Sequence, residues 1–137
     1  MDKALNYLSL ARKAGLAELG EEPVGDITRA GKGYAVVVAS DASDHTWRRA
    51  KSYCAGTEQQ CIRLPYSKAE MGEAIGRESL AIAAITDAPL ALAMLQSLPE
   101  PEKYKASVEI LSEKTRKLKQ RRQEAKAHRR NVRKGKK

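Results

Sequence analysis

The residues able to do chemistry fall into three groups. Asp41, Asp44 and Asp87 sit where apolar runs give way to polar ones, with Ser40 and Ser43 beside the first two. Strand ends are where α/β enzymes hold catalytic groups. An acid or serine there also caps the following helix by accepting a free backbone N–H, and capping explains all five without a nucleophile. His45, Cys54 and Cys61 could ligate zinc, but they lack the fourth partner of a structural site. The two cysteines form no CxxC pair and read as reduced packing residues. Gly31-Lys32-Gly33 resembles part of a phosphate loop, but such a loop follows a strand and delivers Lys-Ser/Thr into a helix. Here the glycines precede an apolar run, so they mark a turn with Lys32 exposed. The chain reads as non-enzymatic, with no cofactor and no metal.

Charge carries more information. The 137 residues have a net charge of +9, but Met1–Glu102 holds 11 Lys/Arg against 14 Asp/Glu, whereas Lys103–Lys137 holds 15 against 3. An acidic body is thus joined to a basic tail, and within Lys119–Lys137 there are ten Lys/Arg and one Glu. A segregated positive block attracts polyanions, and each neutralised phosphate releases counterions, so binding weakens with salt. Arg48, Arg49 and Lys51, with His45 and Trp47 nearby, could add a second phosphate face, although an ordinary solvated helix face explains them as well. No apolar stretch approaches the roughly 18 to 20 residues of a membrane span, and the first residues lack a signal-peptide core. The expected location is cytoplasmic, with no membrane partner.

These groups must be held by alternating helices and strands. Asp2 can cap a helix from Lys3 to about Ala14, in which Leu5, Leu8 and Ala11 recur at helical spacing. An extended piece at Leu16–Leu19 precedes a helix opened by Gly20-Glu21-Glu22-Pro23 and ending near Ala30. Tyr34–Ala39 reads as a central strand covered on both faces. A helix from Thr46 to Ala55, a strand at Cys61–Leu64, a helix behind the Ser67–Glu70 capping box, a strand at Leu80–Ile85 and a helix to about Ser97 complete the pattern. The expected fold is a three-layer α/β/α sandwich with about four strands, over residues 1–98. Pro99-Glu100-Pro101 interrupts the chain before a second unit at 99–118, a linker and helix whose Tyr104, Val108, Leu111, Thr115 and Leu118 form a narrow apolar stripe. That stripe suits docking on the domain or on another chain. Residues 119–137 lack the apolar surface to order themselves and are expected to be disordered without a polyanion.

Several short phrases, in order, resemble the kink-turn-binding ribosomal protein superfamily and especially its bacterial YlxQ-type branch. They are Leu10-Ala11-Arg12-Lys13-Ala14-Gly15, Leu19-Gly20-Glu21-Glu22, Val36 through Ser43, Met71 through Glu78, and Ala84-Ile85-Thr86-Asp87. The resemblance spans about Leu5 to Leu98. It implies a sandwich without catalysis or cofactor that contacts RNA from the start of its second helix and from the loop before its last strand. Those places correspond to Gly20–Lys32 and Arg77–Leu80. Where kink-turn readers of the family carry Asn, Glu and Lys, this chain has Glu22, Pro23 and Asp26. Glu22 and Asp26 lie one turn apart on a helix, so that surface repels phosphate at close range.

The combined expectation is an RNA-binding protein acting on ribosomal or ribosome-associated RNA, cytoplasmic and monomeric, with ribosomal proteins or translation factors as further partners. The body would orient the RNA through Gly20, Glu21, Glu22, Arg29, Lys32, Arg77, Glu78, Ser79 and an exposed Leu80 able to pack on an unstacked base. The tail would supply phosphate contacts from Arg116, Lys119, Arg121, Arg122, Arg129, Arg130 and Arg133. A second reading is a protein-interaction adaptor that docks a partner on the stripe at 104–118. A third, an RNA-recognising fragment of a methyltransferase, has no cofactor loop to support it.

Overall fold

A computed structural model of the protein describes residues 2–135, with side chains described from 2 to 130. The elements in chain order are α1 (Lys3–Lys13), β1 (Ala17–Leu19), α2 (Glu21–Arg29), β2 (Ala35–Val38), α3 (Asp44–Cys54), β3 (Gln60–Arg63), α4 (Lys68–Ala74), β4 (Ile82–Ile85), α5 (Ala88–Gln96), a 3-10 turn (Pro101–Tyr104) and α6 (Lys105–Gly135). The four strands form one mixed sheet in the order β1-β4-β2-β3. β4 runs antiparallel to both β1 and β2, and β2 runs parallel to β3. Helices α2 and α3 pack together on one face, and α1, α4, α5 and α6 cover the other. This is the three-layer sandwich that the alternating pattern implied.

The two central strands explain why the layers hold. All four residues of β2 and all four of β4 are buried, because crossover helices cover both faces of the sheet. Fully burying a valine or isoleucine contributes about 1.5 to 3 kcal/mol, so Val36, Val37, Val38, Ile82 and Ile85 anchor the core. The polar punctuation then orients the helices. Ser67 accepts from the Glu70 backbone N–H while the Glu70 carboxylate accepts from Ser67, a reciprocal capping box. Ser43 caps α3 and Asp87 caps α5, as expected. Asp41 instead accepts from the Lys68 backbone N–H at 2.8 Å and so ties the loop after β2 to the start of α4. Asp2 stands at the N-cap of α1, but its side chain makes no capping bond.

The largest departure from expectation lies in α6. Order was expected to end at Leu118, yet one continuous helix runs to Gly135. Two physical effects account for this. Its first half is fixed by packing: Leu111 is fully buried against the core, and Val108 and Tyr104 pack beside it. Extending an existing helix needs no new nucleus. Lys119–Arg130 is built from Lys, Arg, Gln, Glu, Ala and one His, without Gly or Pro, and most of these residues favour propagation. Side-chain bonds from Arg116 to Gln120 and from Gln120 to Glu124 link successive turns. As an isolated segment these residues have too little apolar surface to order themselves, but here they prolong a docked helix. The Pro99–Pro101 interruption separates α5 from α6 in the chain but not in packing, since the two helices lie against each other.

Candidate nucleic-acid interface

The sheet has two ends, and the sequence-identified residues divide between them. Gly20 donates its N–H to Ile82 at 3.0 Å, which brings the β1–α2 turn beside the start of β4 and the loop that precedes it. Gly20 has φ 99°, a left-handed backbone that lets β1 turn sharply into α2. The residues Gly20, Glu21, Glu22, Arg77, Glu78 and Ser79 therefore share one end of the sheet. Antiparallel pairing of β4 with β2 matches Ile82 to Val38 and Ile85 to Ala35. Arg29, Lys32 and Tyr34 lie at the opposite end, where α2 stops and β2 begins. Arg29 and Lys32 were expected to act together with the Arg77–Leu80 loop. The length of the sheet separates them.

At the Gly20 end little is free to meet phosphate. Glu21 accepts from the Thr46 hydroxyl at 2.8 Å and pairs with Arg49 at 3.3 Å, so its carboxylate holds α2 to α3. Glu22, Pro23 and Asp26 line a shallow groove with Glu18 and Ile27. Arg77, Glu78 and Ser79 are exposed. Leu80, expected to be exposed, is only 4% accessible. Its N–H donates to the Lys68 carbonyl, and its side chain joins the core beneath the loop, so no apolar platform is left for a base. The loop itself is pressed onto α4: a Cβ at Gly72 would meet the Ser79 backbone at 2.6 Å.

The Tyr34 end gathers cations. Thr86 donates to the Leu16 carbonyl, so the end of α1 with exposed Arg12 and Lys13 closes on the same side as Ile85 and Ala35. Tyr34 is half-buried in an open groove lined by Lys114, Lys117, Leu118 and Arg121 of α6 and by the acids Glu58, Glu109 and Glu113. Lys114 pairs with Glu58 at 3.6 Å, and Ser107 donates to Gln60 at 2.7 Å, so α6 is pinned to β3 and to the loop before it. Arg29 forms an ion pair with Asp26 and also reaches the Tyr34–Lys114 groove. From this end α6 projects onward, with every residue from Lys119 to Arg130 exposed. Arg116 is held by Glu113. Arg133 lies on the helical backbone, and its side chain is outside the described residues.

Three features were invisible in the sequence. The Trp47 ring is covered by Lys51, 5.5 Å from its centroid, and by Arg63 at 4.9 Å, so the indole already stacks on the chain's own cations. Lys114 and Lys117 share a groove with Tyr34, a placement no local pattern marks. Tyr34 read as the first residue of a buried strand, yet it lines a groove. His45 stands at the start of α3 and Cys54 at its end, too far apart to share one ion. A hydrogen bond with Cys54, together with burial, pushes the Cys61 thiol well above its usual range. Among the described residues no group of three His, Cys, Asp or Glu side chains could hold a metal, and no helix is long and apolar enough to cross a membrane.

No family model matches the chain. Among solved structures it is similar to a Bacillus halodurans protein of unknown function, with TM-score 0.62 and 26% identity over 69% of this chain and 98% of that one. It is also similar to the Giardia lamblia 15.5kD RNA binding protein, with TM-score 0.60 over 76% and 86% of the two chains. At 18% identity the second likeness shows the fold alone. The fold is thus the small α/β/α sandwich that these proteins share. Over 76 residues the chain is 40% identical to the RNA-binding protein YlxQ of Enterococcus faecium, covering 55% of this chain and 72% of that protein. The chain belongs to the YlxQ-type family.

Proposed function

We propose that this protein is a non-enzymatic, cytoplasmic RNA-binding protein acting on ribosomal or ribosome-associated RNA, and that α6 provides most of its phosphate contacts. The observation that carries the reading is the exposure of Lys119, Arg121, Arg122, Lys126, Arg129 and Arg130 on a helix that leaves the cation-rich end of the sheet. Family membership supports it, since the E. faecium relative is an RNA-binding protein. The acidic groove at Glu18, Glu22 and Asp26 argues against close phosphate contact at the Gly20 end. Arg29, Lys32, Arg77, Glu78 and Ser79 then act as secondary contacts.

The adaptor reading loses its surface. Leu111 is fully buried, Thr115 is buried beside it and Tyr104 and Val108 pack against the core, so the stripe from 104 to 115 is occupied by the chain's own core and Leu118 alone of its residues lines the open groove. Crosslinking in cells followed by sequencing of the bound RNA tests the proposal. Enrichment of ribosomal RNA segments is the expected result, and recovery of no RNA above background would overturn it.

A further inference from the structure

The charge on α6 is arranged, not merely abundant. Successive residues of an α-helix turn by about 100°, which places Arg122, Lys126, Arg129, Lys119 and Arg130 within one arc of about 100°. Leu111, Thr115 and Val108, the residues that dock α6 onto the body, fall within that same arc or at its edge. The docking stripe of the first half therefore continues as a cationic stripe in the second. Gln120, Glu124, Ala127 and His128 occupy the other side of the helix, with Arg121 as its one described cation beyond Leu118. Pairing Gln120 with Glu124 keeps the acid on that neutral side.

We infer that this stripe is a binding face for the phosphate track of double-stranded RNA. The inference deepens the RNA-binding reading and rests on it. Lys119 to Arg130 spans about 16 Å along a straight helix, so the cations form a linear row suited to the regularly spaced phosphates of a duplex. Single-strand binders add aromatic platforms on which bases stack. No Phe, Trp or Tyr lies between Lys105 and Lys137, and the Trp47 ring is already covered by Lys51 and Arg63. Because the stripe continues the docking face, it lies on a different face of α6 from Lys114, Lys117 and Arg121, which line the Tyr34 groove, so a duplex seated on it is separate from that groove.

A composition-preserving variant of the full chain tests this. Gln120→Arg with Arg122→Gln, Lys126→Ala with Ala127→Lys, and His128→Arg with Arg129→His move three cations to the other side of α6. Net charge, amino-acid content and average helix propensity are unchanged, and circular dichroism checks the helix. The probes are an RNA duplex of about 20 base pairs, a single-stranded oligouridylate of equal length and poly-glutamate, each at the same salt. The native chain is expected to prefer the duplex. The variant should bind it about tenfold more weakly, with a log–log salt slope shallower by about 2 to 3 as three phosphate contacts are lost. Equal duplex binding by both proteins would overturn the face while leaving RNA binding intact. A native preference for oligouridylate or for poly-glutamate would overturn the duplex as the ligand. Failure of the native chain to bind either RNA at low salt would instead overturn the RNA-binding reading itself.

Discussion

The two ends of the sheet differ in what they leave free. At the Gly20 end Glu21 is committed to Thr46 and Arg49, Leu80 is buried, and Glu18, Glu22 and Asp26 outline an acidic groove. At the Tyr34 end the groove mixes Glu58, Glu109 and Glu113 with Lys114, Lys117 and Arg121, and Arg12, Lys13, Lys32 and the projecting half of α6 stand exposed around it. One fold can thus keep a family's scaffold at one end and assemble its positive surface at the other, because function follows the site and not the scaffold.

Charge removal breaks this comparison most sharply. Replacing Lys119, Arg122, Lys126, Arg129 and Arg130 by Gln should weaken RNA binding about a thousandfold at low salt, measured by fluorescence anisotropy. Replacing Arg77 and Ser79 by Ala should change it less than about threefold. A comparable loss from the second pair would return the interface to the Gly20 end.

The next effect concerns the support of the arm. Leu111→Ala removes a fully buried side chain between α6 and the core and should cost about 3 kcal/mol in urea unfolding. It should also weaken RNA binding, because the arm is no longer held against the Tyr34 end.

A graft sharpens the contrast from the other side. Glu22→Asn, Pro23→Glu and Asp26→Lys together replace the acidic groove with the family's kink-turn readers and should raise affinity for a kink-turn RNA about tenfold. No gain would show that more than those three residues separates the two ends.

The smallest effect is in the docking stripe. Thr115 is 6% accessible and its hydroxyl has no partner, so Thr115→Val should stabilise the fold by about 1 kcal/mol in the same urea assay. RNA affinity should be unchanged.

Which features could be read from the sequence follows from the range of the interactions involved. The Val36–Val38 run and the Ser67–Glu70 box are local patterns, and both form as written. The turn at Gly20 is likewise local. Glu21 could not be read the same way, because its partners lie 25 and 28 residues away on α3. Leu80 looked exposed because it follows a polar turn, but the Lys68 carbonyl and the core beneath fix it inward. α6 outran its apolar stripe because propagation from a docked helix does not require burial. The basic composition of the tail was plain in the sequence. Its exit from the end opposite Arg77 depends on strand order, which no local pattern encodes.

The central claim is that α6 holds RNA through several simultaneous phosphate contacts. Titrating a ribosomal RNA fragment with the full chain across a range of salt concentrations tests it most directly. With about six contacts the plot of log affinity against log salt should have a slope near −5, and the five-Gln variant should flatten it to about −1. A slope near zero for the native chain would contradict the account.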